Sequence, residues 1–412
     1  MRGIITMLSL PAFLCAYSLD ELVDIAHQNR VVKAATHMLQ SSQKSYESTQ
    51  DSYLPTVQIG ADFQNAYEET PALPQNSIKA YASLQYMIYD GGKKADIYKQ
   101  LQSNISMNEK NVEAIKNDIA LEVSRLYFEY MSLLSDKEAT LQEIEQLKAE
   151  LTRLEMFYKT GSVTQDEVKK IDSRVKSAEV TLHETELSIQ EVLHTLEYFT
   201  TKKIDTIQEG SEVVYNPKED QKTIRPDLEQ LSYAAEATLY EAQSEKSVTM
   251  PTLSFNNTLS YSEYYFDDKT KEVGFLIDTQ NIATLNLSWN IFDFGATRER
   301  YEAKYEEYLS KKASLDHQKE IADVDYRLSK KSLSIAKLKI DATKATLDAA
   351  SATYELIKLR YQNGIVDNVA YLQALSEKYE AARGYTRALN DYEIKKAEAL
   401  YYSGKNIKEY LQ

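Results

Sequence analysis

The chain is short of the residues that interrupt helices. Only 11 of its 412 residues are glycine and 7 are proline. They cluster, leaving 68 residues free of both between Gly92 and Gly161, and another 68 between Gly295 and Gly364. Glycine and proline are the strongest helix breakers, so each stretch is expected to form one uninterrupted helix. At 1.5 Å per residue such a helix reaches roughly 100 Å, about three times the width of a small domain, which excludes a compact globule. Cysteine is nearly absent: Cys15 stands alone, inside an apolar leader, so no disulfide or thiol chemistry is expected beyond it. After residue 18 there is no run of 18 or more apolar residues, as a membrane-spanning helix requires. The five histidines, His27, His37, His183, His194 and His317, are dispersed, and neither a phosphate-binding glycine loop nor a nucleophile elbow occurs. No catalytic centre, metal site or cofactor is therefore expected. Concentrated basic stripes are missing as well, and the net charge of -15 argues against nucleic acid as a partner.

Met1-Arg2-Gly3, an apolar run from Ile4 to Ala16, and the small residues Ala16 and Ser18 have the organisation of a secretory signal peptide. Cleavage after Ser18 puts both small residues at the positions that processing prefers, so residues 1–18 are assigned to the leader. Lipidation of Cys15 is disfavoured by the large Leu14 before it. An exported chain without a spanning helix is either soluble or part of a β-barrel.

The remainder is a duplication. Tyr158-Lys159-Thr160-Gly161 recurs as Tyr361-Gln362-Asn363-Gly364, and Tyr89-Asp90-Gly91-Gly92 recurs as Phe292-Asp293-Phe294-Gly295, both displaced by 203 residues. Leu54-Pro55 and Met250-Pro251 are displaced by 196, so the second copy carries seven extra residues before its Asp-x-Gly turn. Residues 19–210 form the first repeat and 211–412 the second, and the function should need both.

Within each repeat the apolar period changes twice. Ser18-Leu19-Asp20-Glu21 is a capping box, opening a helix expected to reach Ser52. After Pro55, Val57, Ile59, Ala61 and Phe63 alternate with polar residues, and after a proline-containing loop Ile78, Ala80, Ala82, Leu84, Tyr86 and Ile88 do the same. These are strands with one apolar and one polar face, at about 56–66 and 78–89. The second repeat begins its helix at Pro226, which suits a first turn, and places alternating strands at about 252–264 and 281–292. The long helices then carry an apolar seam in steps of three and four, including Val112, Ile115, Ile119, Val123, Leu126 and Tyr130, as in helices that pack against neighbours. They turn back at about 158–166 and 361–368.

Four strands of bilayer-crossing length cannot close a barrel, because the smallest outer-membrane barrels need eight. An open sheet in lipid would leave edge amides and carbonyls unpaired, each costing several kcal/mol. Three chains would supply twelve strands, with polar faces lining water and apolar faces meeting lipid. The expected fold is mainly α with a four-stranded β contribution, assembled as a trimeric 12-stranded β-barrel continued by a long α-helical barrel. A soluble β-sandwich attached to a coiled coil would show the same alternation, but further strands and turns are missing. A periplasmic coiled-coil adaptor or scaffold is the rival from another class. It would have one hairpin, small flanking β domains and a membrane anchor, where this chain has two hairpins and two strand pairs.

The duplicated plan, the Leu54-Pro55 and Met250-Pro251 strand entries, the Asp-x-Gly strand exits, Arg225-Pro226-Asp227-Leu228 and the two Tyr-x-x-Gly turns together resemble the TolC family of outer-membrane efflux proteins. The resemblance covers nearly all of the chain after the leader. It implies a homotrimeric exit duct of a tripartite efflux pump or type I secretion system, with the strands as an outer-membrane β-barrel and the helices as a periplasmic α-helical barrel. Such a duct sits in the outer membrane of a Gram-negative bacterium and is engaged at its periplasmic tip by an adaptor (membrane fusion) protein and an inner-membrane transporter.

The resemblance also implies a gate or adaptor contact at the tip, carried by Tyr158, Gly161, Asp166 and Glu167 in the first hairpin and Tyr361, Gly364 and Asp367 in the second. The chain departs from the family pattern where Val366 replaces a linking arginine and Ala370 and Gln373 replace aspartates. Asp166, Glu167 or Asp367 would then supply any carboxylate ring. Local structure gives the same residues another role: Thr164 with Glu167 reads as a capping box, Asp367 as an N-cap, and the glycines as left-handed turn residues.

Overall fold

The computed structural model describes residues 16–216 and 221–412. The leader expected over 1–18 lies, through Cys15, outside the described residues. Ser18 itself caps the first helix: its hydroxyl accepts the Glu21 N–H at 3.3 Å, and the Glu21 carboxylate accepts the Ser18 N–H at 3.0 Å. The single helix expected as far as Ser52 is broken into α1 (Leu19–Ala26) and α2 (Arg30–Ser52). Asn29 accounts for the break. It is 4% exposed, and its side-chain oxygen accepts the Val32 N–H at 2.9 Å, as an N-cap does.

The elements that follow are β1 (Thr56–Asn65), β2 (Asn76–Tyr89), α3 (Lys93–Lys159), α4 (Gln165–Thr200), α5 (Pro226–Glu245), β3 (Thr252–Tyr265), β4 (Thr279–Ser288), α6 (Ala296–Gln362) and α7 (Asn368–Tyr402). Both glycine- and proline-free stretches are single helices of 67 residues. Each Asp-x-Gly exit proves to be a helix start. Asp90 accepts the Gly92 and Lys94 amides at 3.1 and 2.6 Å, and Asp293 accepts those of Gly295 and Thr297 at 3.1 and 2.8 Å. Phe294 takes the left-handed conformation there (φ 55°) that Gly91 takes in the first repeat; for a side chain with a Cβ this costs roughly 1–2 kcal/mol.

The chain divides into two compact units. One comprises Ala35–Asn111 and Asp227–His317 and contains the sheet, antiparallel throughout in the order β1-β2-β3-β4. Register sorts its faces. Gly60, Tyr81, Ser260 and Gln280 form one polar row, while Tyr86, Phe255 and Leu285 stand on the opposite face. A Cβ on Gly60 would lie 2.5 Å from the end of the Tyr81 ring, so the tyrosine lies over the glycine backbone and would have to swing aside for any larger residue. On the apolar face Val57, Ile59, Phe63, Leu285 and Leu287 are exposed. β4 ends at Ser288, short of the expected 292, where the register brings Trp289 opposite Pro251, which has no N–H to continue the ladder; the Trp289 indole N–H donates instead to the Thr249 carbonyl at 3.0 Å.

The other unit comprises the residues up to Ala34, Val112–Pro226 and Gln318–Gln412. One of its cores joins Leu19, Leu22, Val23 and Ala26 of α1 to Val123, Leu126 and Tyr127 of α3, Leu196 of α4 and Leu400 of α7. The chain end closes this core, with Gln412 and Glu212 exchanging backbone hydrogen bonds of 2.9 and 3.0 Å. A second core lies toward the hairpin turns, with Leu147, Leu154, Ile171, Val175, Tyr354, Tyr371, Leu375 and Tyr379.

Candidate gate at the helix-hairpin turns

The two hairpin turns have the same backbone construction. Gly161 (φ 76°) donates to the Tyr158 carbonyl at 3.0 Å and Ser162 to that of Phe157 at 2.9 Å; Gly364 (φ 70°) donates to Tyr361 at 3.0 Å and Ile365 to Arg360 at 2.8 Å. Both are Schellman closures, which satisfy the last carbonyls of a helix. No heavy atom lies within 4 Å of a Cβ built on either glycine. The left-handed backbone, not crowding, requires glycine at these positions.

The returning helices start differently. Asp367 accepts the Ala370 N–H at 2.9 Å, as expected. Thr164 has the extended backbone of an N-cap, but its side chain makes no capping bond, so the expected Thr164/Glu167 capping box does not form. Threonine is the weaker N-cap, and Asp166 and Glu167 in the first turn of α4 already complement the helix dipole.

The seven expected site residues do not form one cluster. Tyr158 is exposed, Asp166 is an exposed side chain with only a 3.8 Å pair to Lys170, and Asp367 is occupied as a cap. Tyr361 alone enters a network. Its hydroxyl donates to Glu150 Oε1 at 2.7 Å, and Arg153 donates to the same oxygen from Nη2 at 2.8 Å and Nε at 3.2 Å. The Arg153 guanidinium sits 4.7 Å from the Tyr361 ring centre. On its other side Tyr361 is stacked on Tyr371 at 4.8 Å with 14° between planes, and Tyr371 lies 6.1 Å from Tyr354, whose hydroxyl donates to Gln146 at 3.0 Å.

Glu150 is 9% exposed, and a buried carboxylate is tolerated only when paired and hydrogen-bonded. Burial, reinforced by the Glu150 hydrogen bond and charge, pushes the Tyr361 hydroxyl up to about 12; burial also raises Tyr371, with the Tyr354 hydroxyl adding to it. Tyr361 is therefore neutral and donating at physiological pH.

The polar pairing continues along α3, where Asp136 takes Arg387 at 2.7 Å, Glu143 takes Arg383 at 3.2 Å, and Ser132 accepts from Asn390 at 3.0 Å. Glu150, Arg153 and Tyr371 were not expected from the sequence. The signal that would have found them is the 150, 153, 157 spacing of an acid, a base and an aromatic on one face of α3, matched by Tyr354 and Tyr361 two helical turns apart on α6.

Long hairpins and an open four-stranded antiparallel sheet, each drawn equally from two repeats, are the architecture of the outer-membrane efflux class. The outer membrane efflux protein family model matches residues 22–200 and 221–401, and the chain belongs to that family. No curated protein matches the sequence significantly. Among solved structures, the chain is similar to the CmeC outer membrane channel of Campylobacter jejuni, with TM-score 0.81, 19% identity and coverage of 94% of this chain and 85% of that one. It is similar to the outer membrane protein VceC of Vibrio cholerae, with TM-score 0.82, 15% identity and coverage of 94% and 96%. The open-state MtrE outer membrane channel of Neisseria gonorrhoeae has TM-score 0.77, 14% identity and coverage of 94% and 89%. The protein is thus an outer membrane efflux protein with a mainly helical fold and a four-stranded sheet.

Proposed function

We propose that three copies of this chain form the exit duct of a tripartite efflux pump or type I secretion system. The duct conducts cargo from an inner-membrane transporter and a periplasmic adaptor to the exterior and performs no enzymatic step. The observation that carries this reading is the open sheet: β1 and β4 are its edges, and both expose apolar side chains on one face. In a bilayer those edges demand partners, and β4 of one copy against β1 of the next yields twelve strands without a free edge. The hairpin turns, with Tyr158, Gly161, Asp166, Glu167, Tyr361, Gly364 and Asp367, form the periplasmic tip, where gating and adaptor contact are assigned. There the Tyr361–Glu150–Arg153 cluster acts as a latch holding the second hairpin to α3 in the closed state. Purified protein should run as a heat-modifiable trimer extracted from outer membranes and give single-channel steps in planar bilayers. A folded protein that stays monomeric and conducts nothing would overturn the reading.

A further inference from the structure

At one end of the sheet the strand-to-helix junctions of both repeats come together. A Cβ on Gly91 would lie 2.7 Å from the Ser247 carbonyl oxygen and 2.9 Å from Met250 Cβ, so the junction between β2 and α3 lies against the segment that leads into β3. The Trp289 indole donates to Thr249 of that segment at 3.0 Å, which brings in the junction after β4. The junction before β1 joins through Tyr53, whose ring centre lies 4.9 Å from Lys94 Nζ; the Tyr98 ring centre lies 5.5 Å from the same atom.

This end of the sheet is both cationic and aromatic. Lys93, Lys94 and Lys246 are exposed and form no ion pair among the described residues; Lys246 Nζ lies 4.0 Å from the Tyr301 ring centre. Carboxylates that could match them are used elsewhere. Asp90 and Asp293 cap α3 and α6, Asp96 pairs with Lys99 at 3.7 Å, and Glu245 pairs with Arg300 at 3.3 Å. Two lysines at the start of α3 are also unfavourable to that helix, whose N-terminus is its positive end, so local helix chemistry does not account for them. In the segment after β4, Trp289, Ile291, Phe292 and Phe294 are exposed, Phe294 to 92%, and the two phenylalanine rings lie 4.7 Å apart. Phe294 is held in the left-handed conformation. A strained backbone that presents an exposed aromatic ring points to a role outside the chain's own packing.

We infer that this end of the sheet is a binding surface for anionic phospholipid, with headgroup phosphates on Lys93, Lys94 and Lys246 and the Phe292–Phe294 pair in the glycerol and upper acyl region. The inference rests on the duct reading, which puts the apolar face of the sheet in lipid, and adds the class of lipid that meets its helical end. Aromatic side chains favour the membrane–water interface, and lysines at that level attract anionic headgroups. A soluble phosphate would satisfy the lysines and leave the phenylalanines in water.

Trp289 is the only tryptophan of the chain and lies in this patch, so its fluorescence reports the lipid there. The full chain is reconstituted in phosphatidylcholine bilayers that contain the same minor fraction of either brominated phosphatidylglycerol or brominated phosphatidylcholine, bromine being a contact quencher. Phosphatidylglycerol should quench as though enriched about fivefold at the patch, the scale of a lysine–headgroup contact. The preference should shrink at high salt and disappear in the K93Q/K94Q/K246Q variant, and bromines near the headgroup should quench more than bromines near the chain end. The salt series needs no substitution, so it decides the matter even where the triple variant misfolds. Equal quenching by the two lipids, a preference that survives both salt and the lysine substitutions, or stronger quenching from the chain end would overturn the inference in protein that still gives channel steps. Protein that gives neither channel steps nor quenching would overturn the duct reading, and this inference with it.

Discussion

The Tyr361 hydroxyl and Glu150 Oε1, 2.7 Å apart, join positions separated by 211 residues, one at the end of α6 and the other near the end of α3. The carboxylate is shared with Arg153, so one acid holds a neutral and a cationic donor together. Hydrogen bonds to charged groups contribute about 1.5–3 kcal/mol. Tyr361→Phe removes one such bond but keeps the stacking on Tyr371, and should raise the ratio of open to closed channels by roughly 10- to 100-fold in planar bilayers. Glu150→Gln should open the tip further because it also releases Arg153. Single-channel traces identical to wild type for both variants would remove the latch from this cluster.

The raised Tyr361 titration gives the latch an alkaline limit. Burial and the Glu150 hydrogen bond push the hydroxyl up to about 12 in this arrangement, against about 10 when solvated, and the groups facing it are Glu150, Arg153 and Tyr371. A neutral acid stabilised by burial contributes fully below its solvated value, and the contribution is lost as pH rises from about 10 to 12. Open probability should therefore climb between pH 10 and pH 12 in the wild type and much less in Tyr361→Phe. If both climb alike, another group is responsible.

Asn368, the first residue of α7, is 7% exposed, and neither polar atom of its side-chain amide has a hydrogen-bond partner. A buried unpaired polar group costs about 1–3 kcal/mol, and that cost is relieved when the turn opens to water. Asn368→Leu, which keeps the branched shape and removes the polar atoms, is expected to stabilise the hairpin by about 1 kcal/mol. The variant should melt higher and open less often. A lower melting temperature with unchanged gating would show that Asn368 serves packing alone.

Much of this architecture is legible in the sequence because it rests on local chemistry. Gly161 and Gly364 are demanded by left-handed turns, Asp90 and Asp293 by helix starts, and the strands by two-residue alternation, all of which act within a few residues. What the sequence hides is pairing across the bundle. That Glu150 meets Tyr361, or Asp136 meets Arg387, depends on how α3 lies against α6 and α7, which no local period encodes. Two local expectations also yield to context. Asn29 breaks the helix expected to run from the Ser18 capping box to Ser52, and Thr164 has the sequence of a capping box without its hydrogen bond.

The last prediction concerns the other end of the helical unit. His27 follows α1, is half-buried, and its Nε2 lies 2.9 Å from the Lys116 carbonyl, so the neutral ring with its proton on Nε2 donates there. Burial lowers its titration below the usual histidine value; the Lys116 carbonyl opposes this, the Lys116 and Lys408 charges add to it, and Asp24 opposes it. A base held neutral by folding binds fewer protons than it does in the unfolded chain, so its contribution is present above about pH 6.5 and is lost as pH falls toward the lowered folded value. His27→Gln retains a donor for the Lys116 carbonyl but cannot titrate. Between pH 7.5 and 5.5 the wild type should therefore lose more thermal stability than His27→Gln, as read by circular dichroism melts of the detergent-solubilised protein. Lys408 is held by Asp20 at 3.0 Å and also contacts Asp24, and those contacts are common to both proteins. The difference between the two melting curves isolates the histidine; parallel curves would mean that the imidazole is already free to protonate in the folded state.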